Sequence, residues 1–135
     1  MEETEMTPYE LLNQSETYAL FGINDDPEKY ALKIYRKLKE HGKTVWGINP
    51  KYTEVDGDTV YASVLDLPKT PDIAVMVVNP RIGITMLEDM KTKGITKLWL
   101  QPGTFDDAFL DAAHTLGFET IDACVLAVYS IYDKK

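Results

Sequence analysis

The chain has 135 residues, 44% of them hydrophobic and 27% charged, which suits one domain with its own core. Its formal net charge of −8 argues against sequence-independent nucleic-acid binding, which needs a basic face. No stretch approaches the ~20 apolar residues of a membrane span, and a single cysteine, Cys124, excludes an internal disulfide framework.

The acidic start, Met1-Glu2-Glu3-Thr4-Glu5, lacks the basic region of a signal peptide. With the lone cysteine, it predicts a chain of the reducing cytoplasm. Residues 1–6 are expected to fray. Thr7-Pro8-Tyr9-Glu10 predicts a short helix, with Thr7 as N-cap, Pro8 in the first turn and Glu10 at the capping-box position. Residues 1–16 thus read as an N-terminal extension and 17–135 as a single domain. A first strand spans about Thr17 to Ile23. A helix from about Pro27 to His41 carries Tyr30, Ala31, Ile34, Tyr35 and Leu38 on one apolar face and stops at Gly42. Asp25 or Asp26 is expected to cap it. Lys43 to Ile48 forms a second strand. Asp56-Gly57 marks a turn, Val60-Tyr61 a short extended piece, and Ser63 to Leu67 one helical turn. The apolar run Ile73 to Val78 is a third strand, buried on both faces. A helix from about Pro80 to Lys93 is closed by Gly94, and a fourth strand runs from Thr96 to Leu100. A helix from Phe105 to Leu116 is closed by Gly117, followed by a fifth strand from Phe118 to Ile121. The tail, Cys124 to Ile131, predicts a last helical turn or two packed on the core.

Gly42, Gly94 and Gly117 each separate a helix from a strand, as expected of glycines that close helices in the left-handed conformation. This punctuation implies βαβ units, hence an α/β fold with a mostly parallel five-stranded sheet and helices on both faces. Ligands of such sheets bind beyond the carboxyl ends of the strands, where the strand order switches. Four turns fall there: Gly22-Ile23-Asn24-Asp25, Asn49-Pro50-Lys51, Val78-Asn79-Pro80-Arg81 and Gln101-Pro102-Gly103. Gly22 permits a sharp turn and close approach of a phosphate, although the dinucleotide fingerprint needs three glycines. Lys51 offers an ammonium to a ligand phosphate. Arg81 stands at a helix start, where the dipole disfavours a cation, and so hints at an anionic partner.

The remaining reactive residues predict binding rather than catalysis. His41 and His114 sit at or near helix ends, away from the four turns. No metal-ligand spacing is present. Cys124, flanked by Ala123, Val125 and Leu126, reads as a small buried hydrophobe. Trp46 and Trp99 lie in strands and read as core. The run Lys33 to Glu40 reads as a solvated helix face.

Taken in order, Gly22-Ile-Asn-Asp-Asp-Pro27, His41-Gly42, Ile48-Asn-Pro-Lys51-Tyr52, Tyr61 to Pro68, Val78-Asn-Pro80, Trp99-Leu-Gln101-Pro-Gly103 and Ile121 to Cys124 resemble the small CoA-binding-domain family. These are single domains similar to the CoA-binding half of succinyl-CoA synthetase alpha subunits. The resemblance runs from about Thr17 to Cys124. It implies a Rossmann-like three-layer sandwich that binds coenzyme A or an acyl-CoA. It also implies that Gly22, Ile23, Asn24 and Asp25 hold the pyrophosphate and that Lys51, beside Asn49, meets a CoA phosphate. Val78, Asn79, Pro80, Arg81 and Gln101 would then line the rest of the path. The chain departs from the family pattern at Ile23 and Asn24, at Asn79, and at Ala127 to Tyr129. The alternatives are a sensor for NAD(P) or another nucleotide, an enzyme using Cys124 on a bound thioester, and a scaffold that has lost its pocket. In each ligand-binding case the partner is a small nucleotide and the chain a monomer or homodimer.

Overall fold

Apolar runs and helical stripes alternate along the chain, and the computed structural model, which describes residues 6–133, pairs the runs into one seven-stranded sheet. The elements are α1 (Pro8–Gln14), β1 (Thr17–Phe21), α2 (Tyr30–Glu40), β2 (Thr44–Ile48), β3 (Glu54–Val55), β4 (Asp58–Tyr61), β5 (Ile73–Met76), α3 (Pro80–Gly83), α4 (Leu87–Lys93), β6 (Lys97–Leu100), α5 (Asp107–Thr115), β7 (Glu119–Asp122) and α6 (Val125–Asp133). The strand order is β3-β4-β2-β1-β5-β6-β7. Every pairing is parallel except β3 with β4. This is a Rossmann-like α/β fold.

Successive strand residues face opposite sides of the sheet, and this chain fills both sides. Tyr18, Leu20, Ile73, Val75 and Trp99 point to one core with Leu12, Leu32, Leu38 and Val125 from α1, α2 and α6. Ala19, Phe21, Ala74, Met76 and Leu98 point to the other with Leu87, Met90, Phe109 and Ala113 from α4 and α5. Trp99 is fully buried, and Trp46 is half-buried against the second core. The segment before β1 joins the first core through Leu11 and Leu12, and the Tyr18 hydroxyl donates to the Leu12 carbonyl at 2.7 Å. The expected frayed start lies, apart from Met6, outside the described residues.

Local signals behave as their chemistry dictates. The Thr7 hydroxyl accepts from Glu10 N at 3.1 Å, while the Glu10 carboxylate accepts from Thr7 N at 3.0 Å, a complete capping box. Gly42, Gly94 and Gly117 have φ of 79°, 98° and 91° where helices end. Ser63 caps a single 3₁₀ turn over Val64–Asp66.

Several expectations are corrected. The sheet has seven strands, not five, because Asp56-Gly57 is a two-residue hairpin turn with φ of 56° and 81° joining β3 to β4. Helix α2 begins at Tyr30 rather than Pro27, and neither Asp25 nor Asp26 caps it. Instead Asn24 Oδ1 accepts from Asp26 N at 3.1 Å and Asp26 Oδ1 from Glu28 N at 2.9 Å. These side-chain turns hold the backbone out of the helix. Strand β1 ends at Phe21 because Gly22 turns the chain at φ 99°. The single helix expected from Pro80 to Lys93 is broken into α3, a 3₁₀ turn over Ile84–Met86 and α4. Its Ile-Gly-Ile-Thr centre has low helix propensity, and the Thr85 hydroxyl donates to the Ile82 carbonyl at 2.6 Å. The tail is a nine-residue helix, longer than a turn or two.

Candidate functional site

From β1 the chain moves outward to β2 and β4, then returns to pair β5 on the other side of β1. The loops after β1 and β5 therefore part above the sheet, which is the switch point of this fold. A cavity of about 310 Å³ opens there. Val77, Val78 and Asn79 after β5, Gln101 to Thr104 after β6, Cys124 after β7 and Tyr30 at the start of α2 line it. Two larger grooves, of about 400 and 620 Å³, lie at the amino edge of the sheet and beside β7. Asp72 lines the first and is already engaged: its carboxylate accepts from the N–H groups of Glu16 at 2.8 Å and Thr17 at 3.2 Å. Burial opposes its charge, but these donors outweigh that and hold its pKa below the ordinary value.

Gln101 is the most informed residue of the cavity. It is 4% exposed, and its side-chain Oε1 accepts from the Trp99 indole at 3.1 Å and from Val125 N at 2.8 Å. Two donors on one oxygen fix which end of the amide is which. The other end, Nε2, has no protein partner among the described residues, yet it is not sealed from solvent. Gln101 is among the residues that line the cavity. Below it, the Gln101 carbonyl accepts from Thr104 N at 3.1 Å and from the Thr104 hydroxyl at 2.7 Å, which fixes the loop.

The structure brings Val78, Asn79 and Gln101 together in the cavity. Asn79 also caps α3, accepting from Ile82 N at 3.0 Å, with Pro80 in the first turn and Arg81 exposed behind it. The other predicted residues form a shelf beside the cavity rather than its wall. Gly22 lies against the loop after β5: a Cβ there would stand 2.7 Å from the Val77 carbonyl oxygen. Ile23 is fully buried, backbone included, and packs on Gly47. Asn49 clamps two loops, donating from Nδ2 to the Ile23 carbonyl at 2.7 Å and accepting from Lys51 N at 2.9 Å. Asp25 accepts from the Tyr52 hydroxyl at 3.3 Å. Asn24 is half-buried in its side-chain turn. Lys51 is exposed and has no ion-pair partner among the described residues.

Two residues depart from their sequence reading. Tyr30 is 64% exposed at the cavity rather than on the buried face of α2. Cys124 is partly exposed and lines the cavity, not a buried hydrophobe. Both stand at the junction of a strand-end loop with a helix, and that position was the available signal. Among the described residues, no group of His, Cys, Asp and Glu is placed to hold a metal ion, and no helix is long and apolar enough to cross a membrane.

Comparison with known proteins agrees with this fold. The chain is 34% identical over 89 residues to an ADP-forming acetate–CoA ligase of Methanocaldococcus jannaschii, matching 64% of this chain and 13% of that protein. It is 32% identical over 78 residues to the alpha subunit of ADP-forming acetate–CoA ligase II of Pyrococcus furiosus, matching 57% of this chain and 17% of that one. The matches thus span only a small part of these longer relatives. Among solved structures, a hypothetical protein from Pyrococcus horikoshii OT3 superposes with a TM-score of 0.85 at 29% identity, covering 97% of this chain and 98% of that one. The dinucleotide-forming acetyl-coenzyme A synthetase 1 of Ca. Korarchaeum cryptofilum matches with a TM-score of 0.69 at 25% identity, over 78% of this chain and 25% of that one. The model of the CoA binding domain matches residues 16–130, and the chain belongs to that family.

Proposed function

We propose that the chain binds coenzyme A or an acyl-CoA at the carboxyl edge of its sheet, as a binding module without chemistry of its own. The observation that carries this reading is the switch-point cavity, lined by Gln101 with an amide donor left unpaired by the described residues, in a chain of the CoA-binding family. At about 310 Å³ the cavity is at the small end of ligand sites, which run from ~300 to ~1,000 Å³. It suits a narrow pantetheine arm rather than the whole ligand. The arm alternates methylenes with amides, matching apolar Val77, Val78 and Pro102 beside a free amide donor. The nucleotide end then lies over the shelf of Gly22 to Asp25 and the Asn49–Lys51 turn, where Lys51 meets a phosphate. Both histidines are engaged elsewhere, His41 with Asp133 and His114 with Thr120, which favours binding over acid–base catalysis. The reading places a monomer or homodimer in the cytoplasm.

Titration calorimetry with CoA and acetyl-CoA tests this. Saturable heat with one ligand per chain is expected; no heat and no thermal shift at millimolar CoA overturns it. Lys51→Ala should raise Kd about tenfold, the loss of one charge-assisted contact of ~1.4 kcal/mol. An unchanged Kd removes Lys51 from the site.

A further inference from the structure

We infer that the open edge of β7 is an interface for a second copy of this chain, joined antiparallel to its own β7 with a two-fold axis at Ile121. The two edges of the sheet differ. On one side β3 has two residues and pairs only with β4 through their hairpin. On the other, β7 has four residues paired to β6 and none beyond it. The N–H groups of Glu119 and Ala123 donate inward, to the Thr96 and Leu100 carbonyls at 2.9 and 3.3 Å. Backbone groups alternate in direction along a strand, so those of Thr120 and Asp122 point away from β6. A groove of about 620 Å³ runs along this edge, with Pro8 and Leu11 of α1 on one side and His114 of α5 on the other. Outward N–H and C=O groups in a groove call for an extended strand.

The side chains choose a second β7 as that strand. Hydrogen-bonded antiparallel positions must join outward-pointing residues. Centring the axis on Ile121 sets Thr120 opposite the partner's Asp122, and Asp122 opposite the partner's Thr120. His114 Nε2 lies 3.2 Å from the Thr120 hydroxyl. When that nitrogen carries the proton, the imidazole donates to Thr120, and the hydroxyl proton is left without an acceptor among the described residues. Asp122 is exposed, and its carboxylate has no partner among the described residues. In this register each carboxylate accepts from the other copy's Thr120 hydroxyl, itself bonded to His114, and the contact occurs twice by symmetry. On the opposite face the two half-buried Ile121 side chains meet at the axis. Glu119 falls opposite the partner's Ala123, so no carboxylate stands directly against another across the strands, where like charges are costly. The register thus pairs all four β7 residues and matches acceptor to donor.

This interface is independent of the ligand reading and is tested without ligand. Sedimentation velocity of the wild-type chain, from micromolar to millimolar, should show a concentration-dependent rise to twice the chain mass. Asp122→Lys, a change at an exposed site, should raise the dimer Kd at least tenfold by setting a cation beside Thr120 and His114. Register is read by cross-linking in a Cys124→Ser background. With Ile121→Cys, the two thiols sit on a non-hydrogen-bonded pair with Cα atoms about 4.5 Å apart, within disulfide reach. Mild oxidation should then give a covalent dimer. With Thr120→Cys, the two Cα atoms are roughly 8 Å apart, beyond that reach, and little dimer should form. A wild-type chain that stays monomeric over the whole range overturns the inference. So does a dimer indifferent to Asp122→Lys, or one that cross-links through position 120 as readily as through 121, since either places the contact elsewhere.

Discussion

Gly22 stands where no side chain fits. A Cβ would lie 2.7 Å from the Val77 carbonyl oxygen and 2.8 Å from Val78 Cγ1, at a φ of +99°. Gly42 has a similar φ of +79°, but its Cβ would meet nothing within 4 Å. The pair separates two costs. Gly42→Ala should lose about 1–2 kcal/mol, the strain of a left-handed alanine. Gly22→Ala adds an over-packing cost of ~1–3 kcal/mol against backbone that cannot retreat. Urea denaturation of both variants measures the difference, and equal losses would show that conformation alone sets the requirement at Gly22. The glycine was legible in the sequence as a sharp turn, but its reason was not. It is needed for contact with the loop after β5, a neighbour that only the strand order supplies. Gln101 shows the same limit. Its position after β6 was readable, whereas its hold on Trp99 and Val125 depends on α6 folding back over the loop.

At the scale of elements, two polar clips hold α2. At the hairpin, Arg36 pairs with Asp56 at 2.8 Å through two parallel hydrogen bonds, and Lys39 reaches Asp58 at 2.8 Å, which also accepts from the Tyr35 hydroxyl. The Arg36 guanidinium holds the Asp56 carboxyl below its usual range, as Lys39 and Tyr35 do for Asp58. At its C-terminus, the His41 ring stacks on Tyr129 with centroids 3.7 Å apart, and Nε2 lies 2.9 Å from an Asp133 carboxylate oxygen. Burial opposes the imidazolium, but the Lys37 carbonyl and Asp133 outweigh it and raise the His41 pKa. Burial also pushes the Tyr129 hydroxyl up to about 12. The signs are opposite. Depressed carboxylates add stability above their unfolded pKa of about 4, and this is lost as pH falls through the folded values. A raised histidine adds stability that is complete below its unfolded pKa of about 6.5 and lost as pH rises through the folded one. Melting temperature against pH should therefore fall on both sides of a maximum between these limits. His41→Gln should flatten the fall just above pH ~6.5, and Asp56→Asn with Asp58→Asn the fall below pH ~4. An unaltered alkaline limb in His41→Gln would show that this clip carries no stability. Elements with caps and strong periodicity were legible: α1 from its Thr-x-x-Glu box, α5 and β5 from their apolar patterns. The hairpin was not, because β3 has only two residues and β4 four, too short for alternation to register. Its clip to α2 turned charges that read as a solvated face into tertiary contacts.

On the scale of the whole molecule, the strand order decides which surface a ligand sees. β1 and β5 sit at the centre, with Ala19, Leu20, Ala74 and Val75 fully buried, while β3 and β7 form the edges. Central amides such as these should exchange hydrogen only through global unfolding, and those of the β3–β4 hairpin through local opening. The loops on the carboxyl edge are joined pairwise, by the Asn49 clamp, the Tyr52–Asp25 and Val125–Gln101 hydrogen bonds and the packing of Gly22 on the loop after β5. A ligand spanning shelf and cavity would tie them together. Hydrogen exchange with and without saturating CoA should thus show new protection in residues 22–29, 49–52, 77–79, 101–104 and 123–125. Global protection of β1 and β5 should also rise, by about 2.7 kcal/mol at a hundredfold excess over Kd, because the ligand binds only the folded chain. The larger grooves make the opposite demand: occupancy there would protect residues 8–16, 70–72, 94–97 and 118–122. Protection confined to that second set would place the ligand at the amino edge and remove the switch-point cavity as its site. Protection of the first set without the 49–52 turn would keep the arm in the cavity but free the nucleotide from Lys51, in agreement with an unchanged Kd for Lys51→Ala.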